Sequence, residues 1–97
     1  MPENVYMLRE REFLNLGENV CKIGQTKNDI KTRISSYPKN SELLMLARVN
    51  NCLEAEQEIK RLFKINFKQR LDIGREYFEG NIDKMKDEFH EITGKFL

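Results

Sequence analysis

The chain has 97 residues, a length that suits one small domain with a single hydrophobic core, and we expect that domain to span residues 1–97. A hydrophobic fraction of 39% beside 34% charged residues is typical of a folded globular protein and excludes a disordered tail. No apolar run approaches the roughly 20 residues that cross a bilayer, and the N-terminus lacks a signal-peptide pattern, so we expect an intracellular protein without a membrane partner.

The predicted elements begin with two strands, at residues 5–8 and 20–24, joined by a Gly-containing loop as in an antiparallel hairpin. A helix is predicted for residues 28–37, ending before Pro38. The apolar segment 43–49 predicts a third strand that is buried on both faces. Helical spacing follows over residues 52–68, then a short extended piece at 75–79 and a terminal helix. The predicted fold is α+β, with a small, mainly antiparallel three-stranded sheet flanked by helices.

The few cysteine and histidine residues and the low net charge limit which metal and nucleic-acid sites the chain could contain. Cys21 and Cys52 have neither metal-ligand spacing nor a disulfide framework, and we expect both to be buried free thiols. His90 is the only histidine, which excludes a His-rich zinc site. The net charge of +1 gives little general attraction for nucleic acid, so phosphate binding would depend on local basic clusters. The two such clusters, for which a solvated helix face is the alternative, are Lys22, Lys27, Lys31 and Arg33, and Lys60, Arg61, Lys64, Lys68 and Arg70.

One carboxylate interrupts the apolar face of the helix predicted at residues 52–68. At about 100° per residue, Glu56 projects from the arc that contains Ile59 and Phe63, whereas Glu54 and Glu58 fall on the opposite side. A carboxylate facing the core is costly unless it is paired with a cation or binds a metal. Glu56 is therefore either a metal ligand or the partner of an internal arginine or lysine.

Three further polar residues interrupt apolar patterns. Arg33 lies at the edge of the inward stripe of its helix, where it either meets a ligand or covers apolar surface with its methylene stem. Strand alternation separates Tyr6 from Val5 and Met7, and we place Tyr6 opposite Lys22. Protection of a strand edge is the alternative explanation for Lys22.

Taken in order, these residues resemble the GIY-YIG nuclease superfamily. The resemblance covers residues 5–78 and depends on four segments: Asn4-Val5-Tyr6, Cys21-Lys22-Ile23-Gly24-Gln25-Thr26, the run from Ile30 through Arg33 and Ile34 to Tyr37, and Glu56 followed by Ile59-Lys60. A viral and phage-type branch is most similar, because it has Lys-Ile-Gly where other members have Tyr-Ile-Gly. Glu76-Tyr77-Phe78 matches a Glu-aromatic-Phe element of that branch.

The resemblance implies a role for each matching residue. Tyr6 corresponds to the first-motif tyrosine, Arg33 to the helix arginine and Glu56 to the metal-binding glutamate, while Tyr37 stands where members have histidine or tyrosine. Lys22 replaces the second tyrosine. The implied catalytic set is Tyr6, Lys22, Arg33, Tyr37 and Glu56, and the implied nucleic-acid contacts are Lys22, Gly24, Lys27, Lys31 and Arg33.

These residues predict metal-dependent hydrolysis of phosphodiester bonds. Glu56 would hold Mg²⁺ or Mn²⁺, since Mg²⁺ keeps several waters and takes phosphate oxygens as ligands. Arg33 would bind the phosphate through its planar fork. Tyr6 would act as the base or as the group that positions the attacking water, and a base would need its pKa depressed by Lys22 and Arg33.

The predicted function is that of an endonuclease acting on double-stranded DNA. Its specificity would come from a homodimer or from a separate DNA-targeting partner. The main alternative is a catalytically silent domain of the same fold that binds nucleic acid or protein. A structural protein unrelated to nucleases is a third interpretation, but it leaves the inward Glu56 unexplained.

Overall fold

A computed structural model describes residues 3–97; Met1 and Pro2, where the predicted domain begins, lie outside the described residues. The helices and strands alternate for most of the chain. In order they are β1 (Asn4–Arg9), α1 (Arg11–Leu16), β2 (Val20–Thr26), α2 (Ile30–Ile34), β3 (Glu42–Arg48), α3 (Cys52–Asn66), β4 (Lys68–Gln69), β5 (Tyr77–Glu79), α4 (Ile82–Thr93) and a final 3₁₀ turn (Gly94–Phe96).

The five strands form one sheet in the order β3-β1-β2-β5-β4. Each neighbouring pair is antiparallel, so the predicted α+β class with an antiparallel sheet is confirmed, while the predicted number of three strands is wrong. The two strands beyond the predicted three are β4, with two residues, and β5, with three, which lies within the extended piece predicted at residues 75–79. Segments this short carry too little periodicity to be recognised as paired strands.

The core lies between one face of the sheet and the two long helices. Val5, Met7, Cys21 and Ile23 point from β1 and β2 towards the buried residues of α3 and α4. Strand alternation then turns Tyr6 and Lys22 to the opposite face. Both cysteines are buried and free, as predicted. Within residues 3–97, no helix combines the length and apolar character needed to cross a lipid bilayer.

Strand β3 lies at an edge of the sheet and has no fully buried residue, so the prediction that it is buried on both faces is wrong. Leu44, Met45 and Ala47 pack against the core, whereas Leu43 and Leu46 are 38% and 45% exposed. A β-bulge between its pairings with Met7 and Leu8 interrupts the alternation in this strand. The apolar run therefore combines partly buried side chains that pack on the core with two exposed leucines.

The segment between β1 and β2 contains a helix that the sequence prediction treated as a loop. Helix α1 has six residues, and no side chain caps its N-terminus. It ends at Gly17, whose φ of 68° is left-handed and favours glycine. The turn signal at Gly17 is thus a helix C-cap rather than part of a hairpin loop. Helix α2 is shorter than predicted and covers only Ile30–Ile34.

Candidate functional site

Gly24 lies directly beneath the ring of Tyr6 on the face of the sheet that is turned away from α3 and α4. The register of β1 and β2 pairs these two residues. A Cβ atom on Gly24 would lie 2.3 Å from Cζ and 2.4 Å from Oη of Tyr6, which real atoms do not tolerate. The absence of a side chain at Gly24 therefore determines where the Tyr6 hydroxyl sits. Gly24 is itself buried beneath this phenol.

The Tyr6 hydroxyl joins two residues from the α2 region. Its oxygen lies 2.6 Å from Oη of Tyr37, and the two rings meet edge to face with centroids 6.1 Å apart. Nε of Arg33 donates to Oη of Tyr6 at 3.1 Å. The structure thus brings together three predicted catalytic residues. Tyr6 is fully buried, whereas Tyr37 and Arg33 are partly exposed, so the last two form the accessible side of the cluster.

Burial governs the protonation of both phenols. Burial first and the hydrogen bond with Tyr37 second raise the pKa of Tyr6, the bond from Arg33 lowers it, and the net result is a pKa of about 12. Burial also raises the pKa of Tyr37, while the bond to Tyr6 and the charge of Arg33 lower it. The expected depression of the Tyr6 pKa by Lys22 and Arg33 is therefore wrong. At neutral pH Tyr6 is a neutral phenol suited to holding a neighbouring oxygen in place.

Lys22 contacts Tyr37 rather than Tyr6. The register pairs Lys22 with Leu8, two residues from the predicted position opposite Tyr6. Its Nζ lies 4.7 Å from the centroid of the Tyr37 ring and 5.9 Å from that of Tyr77. Because β2 lies between β1 and β5, Lys22 does not protect a sheet edge. Its ammonium is instead a positive charge stacked against the tyrosine cluster.

Glu56 is linked to this cluster by two residues that the sequence analysis did not include in the site. Its side chain is 14% exposed, and Oε1 lies 3.2 Å from Nζ of Lys60, one turn further along α3. Lys60 also contacts Glu76 at 3.5 Å, and the second Glu76 oxygen lies 3.5 Å from Nζ of Lys22. Glu56 therefore has a lysine partner, which was the alternative to metal binding in the sequence analysis. This partner, Lys60, is a member of the second basic cluster, for which the alternative interpretation was a solvated helix face.

Tyr77 supports the other side of Lys22. Its hydroxyl donates a hydrogen bond to the carboxylate of Glu10, which immediately precedes α1. Burial is the main cause that raises the pKa of Tyr77, and the bond to Glu10 adds to it. The Glu-aromatic-Phe element was the available signal for this region. It did not reveal that Glu76 and Tyr77 flank Lys22, because that contact depends on pairing β5 with β2.

The comparisons with known proteins assign the family. The model of the T5orf172 domain matches residues 3–93. The chain belongs to the T5orf172 domain family. This family is phage-associated and related to GIY-YIG and HNH-like nucleases, and it suggests a nuclease-like or DNA-binding function. The searches of curated proteins and of solved structures found no match.

In this T5orf172 domain, Glu56 is the residue that the resemblance assigns to a metal ion. Across residues 3–97, no group of three or more His, Cys, Asp and Glu side chains is arranged to hold an ion. A single carboxylate fits Mg²⁺, which retains water ligands and accepts phosphate oxygens. Lys60 already places a cation beside Glu56, so its ammonium would have to withdraw from Oε1 before an ion could bind there.

The predicted DNA contacts of the T5orf172 domain lie around α2. Lys27 and Lys31 are exposed, and Arg33 is partly exposed. Asp29 caps α2 by accepting a hydrogen bond from the backbone N–H of Lys31 at 2.8 Å. This cap sets the start of the helix that presents Lys31 to solvent and Arg33 to Tyr6. The part played by these residues in DNA binding remains a prediction.

Proposed function

We propose that this T5orf172 domain is a metal-dependent endonuclease that hydrolyses phosphodiester bonds in double-stranded DNA. The observation that supports it is one continuous series of contacts through all five predicted catalytic residues. The series runs from Arg33 to Tyr6, Tyr37, Lys22, Glu76, Lys60 and Glu56. Paired phenols, a guanidinium, an ammonium and a carboxylate can together position water, stabilise the anionic transition state and hold a metal ion, as phosphodiester hydrolysis needs.

Arg33 is the proposed phosphate-binding residue. Its Nε donates to Tyr6, which leaves the terminal nitrogens of the guanidinium to meet phosphate oxygens. Burial of the Tyr6 hydroxyl keeps this arrangement fixed before substrate arrives. Charge that develops on the phosphate is then met by a donor that needs little reorganisation, which is the most effective form of electrostatic stabilisation.

Tyr37 and Tyr6 are the proposed water-positioning pair. The raised pKa of Tyr6 leaves this phenol neutral at neutral pH, so it does not serve as the base. Tyr37 is the more accessible of the two hydroxyls and is held by its 2.6 Å bond to Tyr6. Lys22 would add positive charge beside Tyr37. Glu56 would hold Mg²⁺ or Mn²⁺, an ion that supplies charge for the transition state and the leaving oxygen.

The second candidate is a catalytically silent domain that binds nucleic acid. The ion pair between Glu56 and Lys60 favours it, because this carboxylate is already neutralised. In either case, a homodimer or a separate DNA-targeting protein would supply specificity.

Incubation with supercoiled plasmid in Mg²⁺, in Mn²⁺ and in EDTA separates the two candidates. The nuclease produces nicked or linear plasmid in either metal and leaves it intact in EDTA. Retarded but uncut plasmid under all three conditions would instead support the silent domain.

A further inference from the structure

One carboxylate bridges two ammonium groups at the edge of the site. Oε2 of Glu76 lies 3.5 Å from Nζ of Lys22, and Oε1 lies 3.5 Å from Nζ of Lys60. The two lysine side chains are 15% and 20% exposed, whereas the Glu76 side chain is 41% exposed. The bridging anion is thus the outermost of the three groups, and the cations lie beneath it.

Glu76 can release both lysines without disturbing the sheet. Its carbonyl accepts a hydrogen bond from the N–H of Ile23 at 2.9 Å, which holds the backbone beside β2. Only the side chain has to rotate for the carboxylate to leave. Ion pairs with a partner this exposed contribute little to stability, and both contacts are long for charge-assisted hydrogen bonds. The carboxylate is therefore readily exchanged for another anion.

A phosphodiester matches the position that Glu76 occupies. Like a carboxylate, it presents two anionic oxygens on one atom, so the same pair of ammonium groups can contact both oxygens. Arg33 is within electrostatic reach of this position: the hydrogen bond to Tyr6 is the main cause that raises the pKa of Arg33, and the charge of Glu76 adds to it. Two ammonium groups therefore contact this exposed carboxylate, and the charge of Arg33 acts on it without contact.

We propose that Lys60 is a further phosphate-binding residue, and that Glu76 occupies its anion position until a nucleic-acid phosphate displaces it. This inference rests on the proposed action on DNA. It assigns Lys60 a function beyond neutralising Glu56, because release of Glu76 leaves Lys60 and Lys22 with a shared, unfilled anion position. Glu76 thereby competes with phosphate for the two lysines, and it weakens the binding of any polyanion that has to displace it.

Binding of a short fluorescein-labelled DNA duplex in EDTA, measured by fluorescence anisotropy, tests this inference without any cleavage. Glu76→Gln should bind the duplex roughly threefold to fivefold more tightly than the wild type, the scale of one exposed ion pair that no longer competes. The plot of log Kd against log salt concentration should steepen by up to about one, since one added phosphate contact contributes about 0.9.

Glu79→Gln is the matched control, because it removes the same charge only three residues further along the chain, at the end of β5. The Glu79 side chain is 42% exposed and pairs with Arg70, which retains Asp72 as a partner. If the loss of any negative charge were enough to raise the affinity for DNA, both variants would bind the duplex equally more tightly. Equal tightening, or unchanged or weaker binding in Glu76→Gln, would overturn the inference.

Lys60→Met supplies the second arm. In the Glu76→Gln background it should remove the added affinity and the added salt dependence, whereas in the wild type it should change binding less. Equal effects in both backgrounds would contradict a position shared by Glu76 and phosphate. Circular dichroism verifies that each variant is folded. If no variant cleaves plasmid but this binding pattern holds, the endonuclease proposal fails and the inference about Lys60 stands.

Discussion

The hydroxyl oxygens of Tyr6 and Tyr37 lie 2.6 Å apart, and Arg33 donates to the buried member of the pair. Arg33 has no acceptor, so Tyr6 receives that bond and retains its own hydrogen for a neighbouring oxygen. The pair therefore places one buried phenol behind one accessible phenol. This arrangement makes the protonation of the tyrosines a measurable property of the site.

All three tyrosines should ionise at a higher pH in the folded protein than in the unfolded chain. Tyr6, Tyr37 and Tyr77 are the only tyrosines, and burial is the main cause that raises the pKa of each. A spectrophotometric titration should show little tyrosinate at pH 10, where half of each unfolded tyrosine is ionised. A tyrosine that ionises below pH 9 would contradict this account, since about 10 is the ordinary pKa.

The same shift predicts a loss of stability at high pH. Because the folded pKa of Tyr6 is raised, the folded state holds a proton that the unfolded state has released between pH 10 and about 12. The resulting stabilisation is complete below pH 10 and is lost as pH rises to about 12, by about 3 kcal/mol. The stability difference between wild type and Tyr6→Phe, measured by urea unfolding, should narrow across that interval. A constant difference would show that the Tyr6 pKa is not raised.

Gly24→Ala should destabilise the fold by about 1–3 kcal/mol, the usual cost of forcing an extra methyl group into a packed site. The added Cβ would overlap the Tyr6 ring and displace its hydroxyl from Tyr37 and Arg33. Gly94→Ala is the control, because a Cβ there meets nothing within 4 Å and its φ of −57° suits alanine. Urea unfolding should leave Gly94→Ala at or above wild-type stability, and similar losses in both variants would contradict the close approach at Gly24.

Arg33→Lys should lower the rate of plasmid cleavage by at least roughly tenfold, the scale of one charge-assisted contact in a transition state. Lysine keeps the charge but loses both the Nε donor to Tyr6 and the planar fork. Arg61→Lys is the control, since Arg61 is exposed on α3 and pairs with Glu58. Wild-type cleavage by Arg33→Lys would show that Arg33 only covers apolar surface.

Periodicity predicted the long elements of the fold and failed for the short ones. Helix α3 covers Cys52–Asn66, close to its predicted bounds, because 15 residues carry a complete apolar face. Helix α1 and strand β4 were missed because six and two residues carry no such pattern. The missed helix also hid the register of β1 and β2, since the length of the connection no longer fixes which residues pair.

The candidate site was predictable where a polar residue interrupts an apolar pattern. That criterion identified Tyr6, Arg33 and Glu56, and the structure places Tyr6 and Arg33 in contact. It could not identify Lys60 and Glu76, because their positions in the sequence are ordinary for exposed charges and their contact joins α3 to the residue before β5. The direction of the Tyr6 pKa shift could not be predicted from the sequence either, since burial determines it more than the nearby cations do.

Plasmid cleavage by Glu56→Gln, compared with Glu58→Gln, tests the central claim most directly. Both residues lie on α3 and each pairs with a cation on the same helix, at 3.2 Å for Lys60 and 2.5 Å for Arg61. The account predicts that Glu56→Gln keeps its circular dichroism spectrum and loses Mg²⁺-dependent nicking, whereas Glu58→Gln cleaves like the wild type. Cleavage that persists in Glu56→Gln, or that is lost equally in Glu58→Gln, would contradict it.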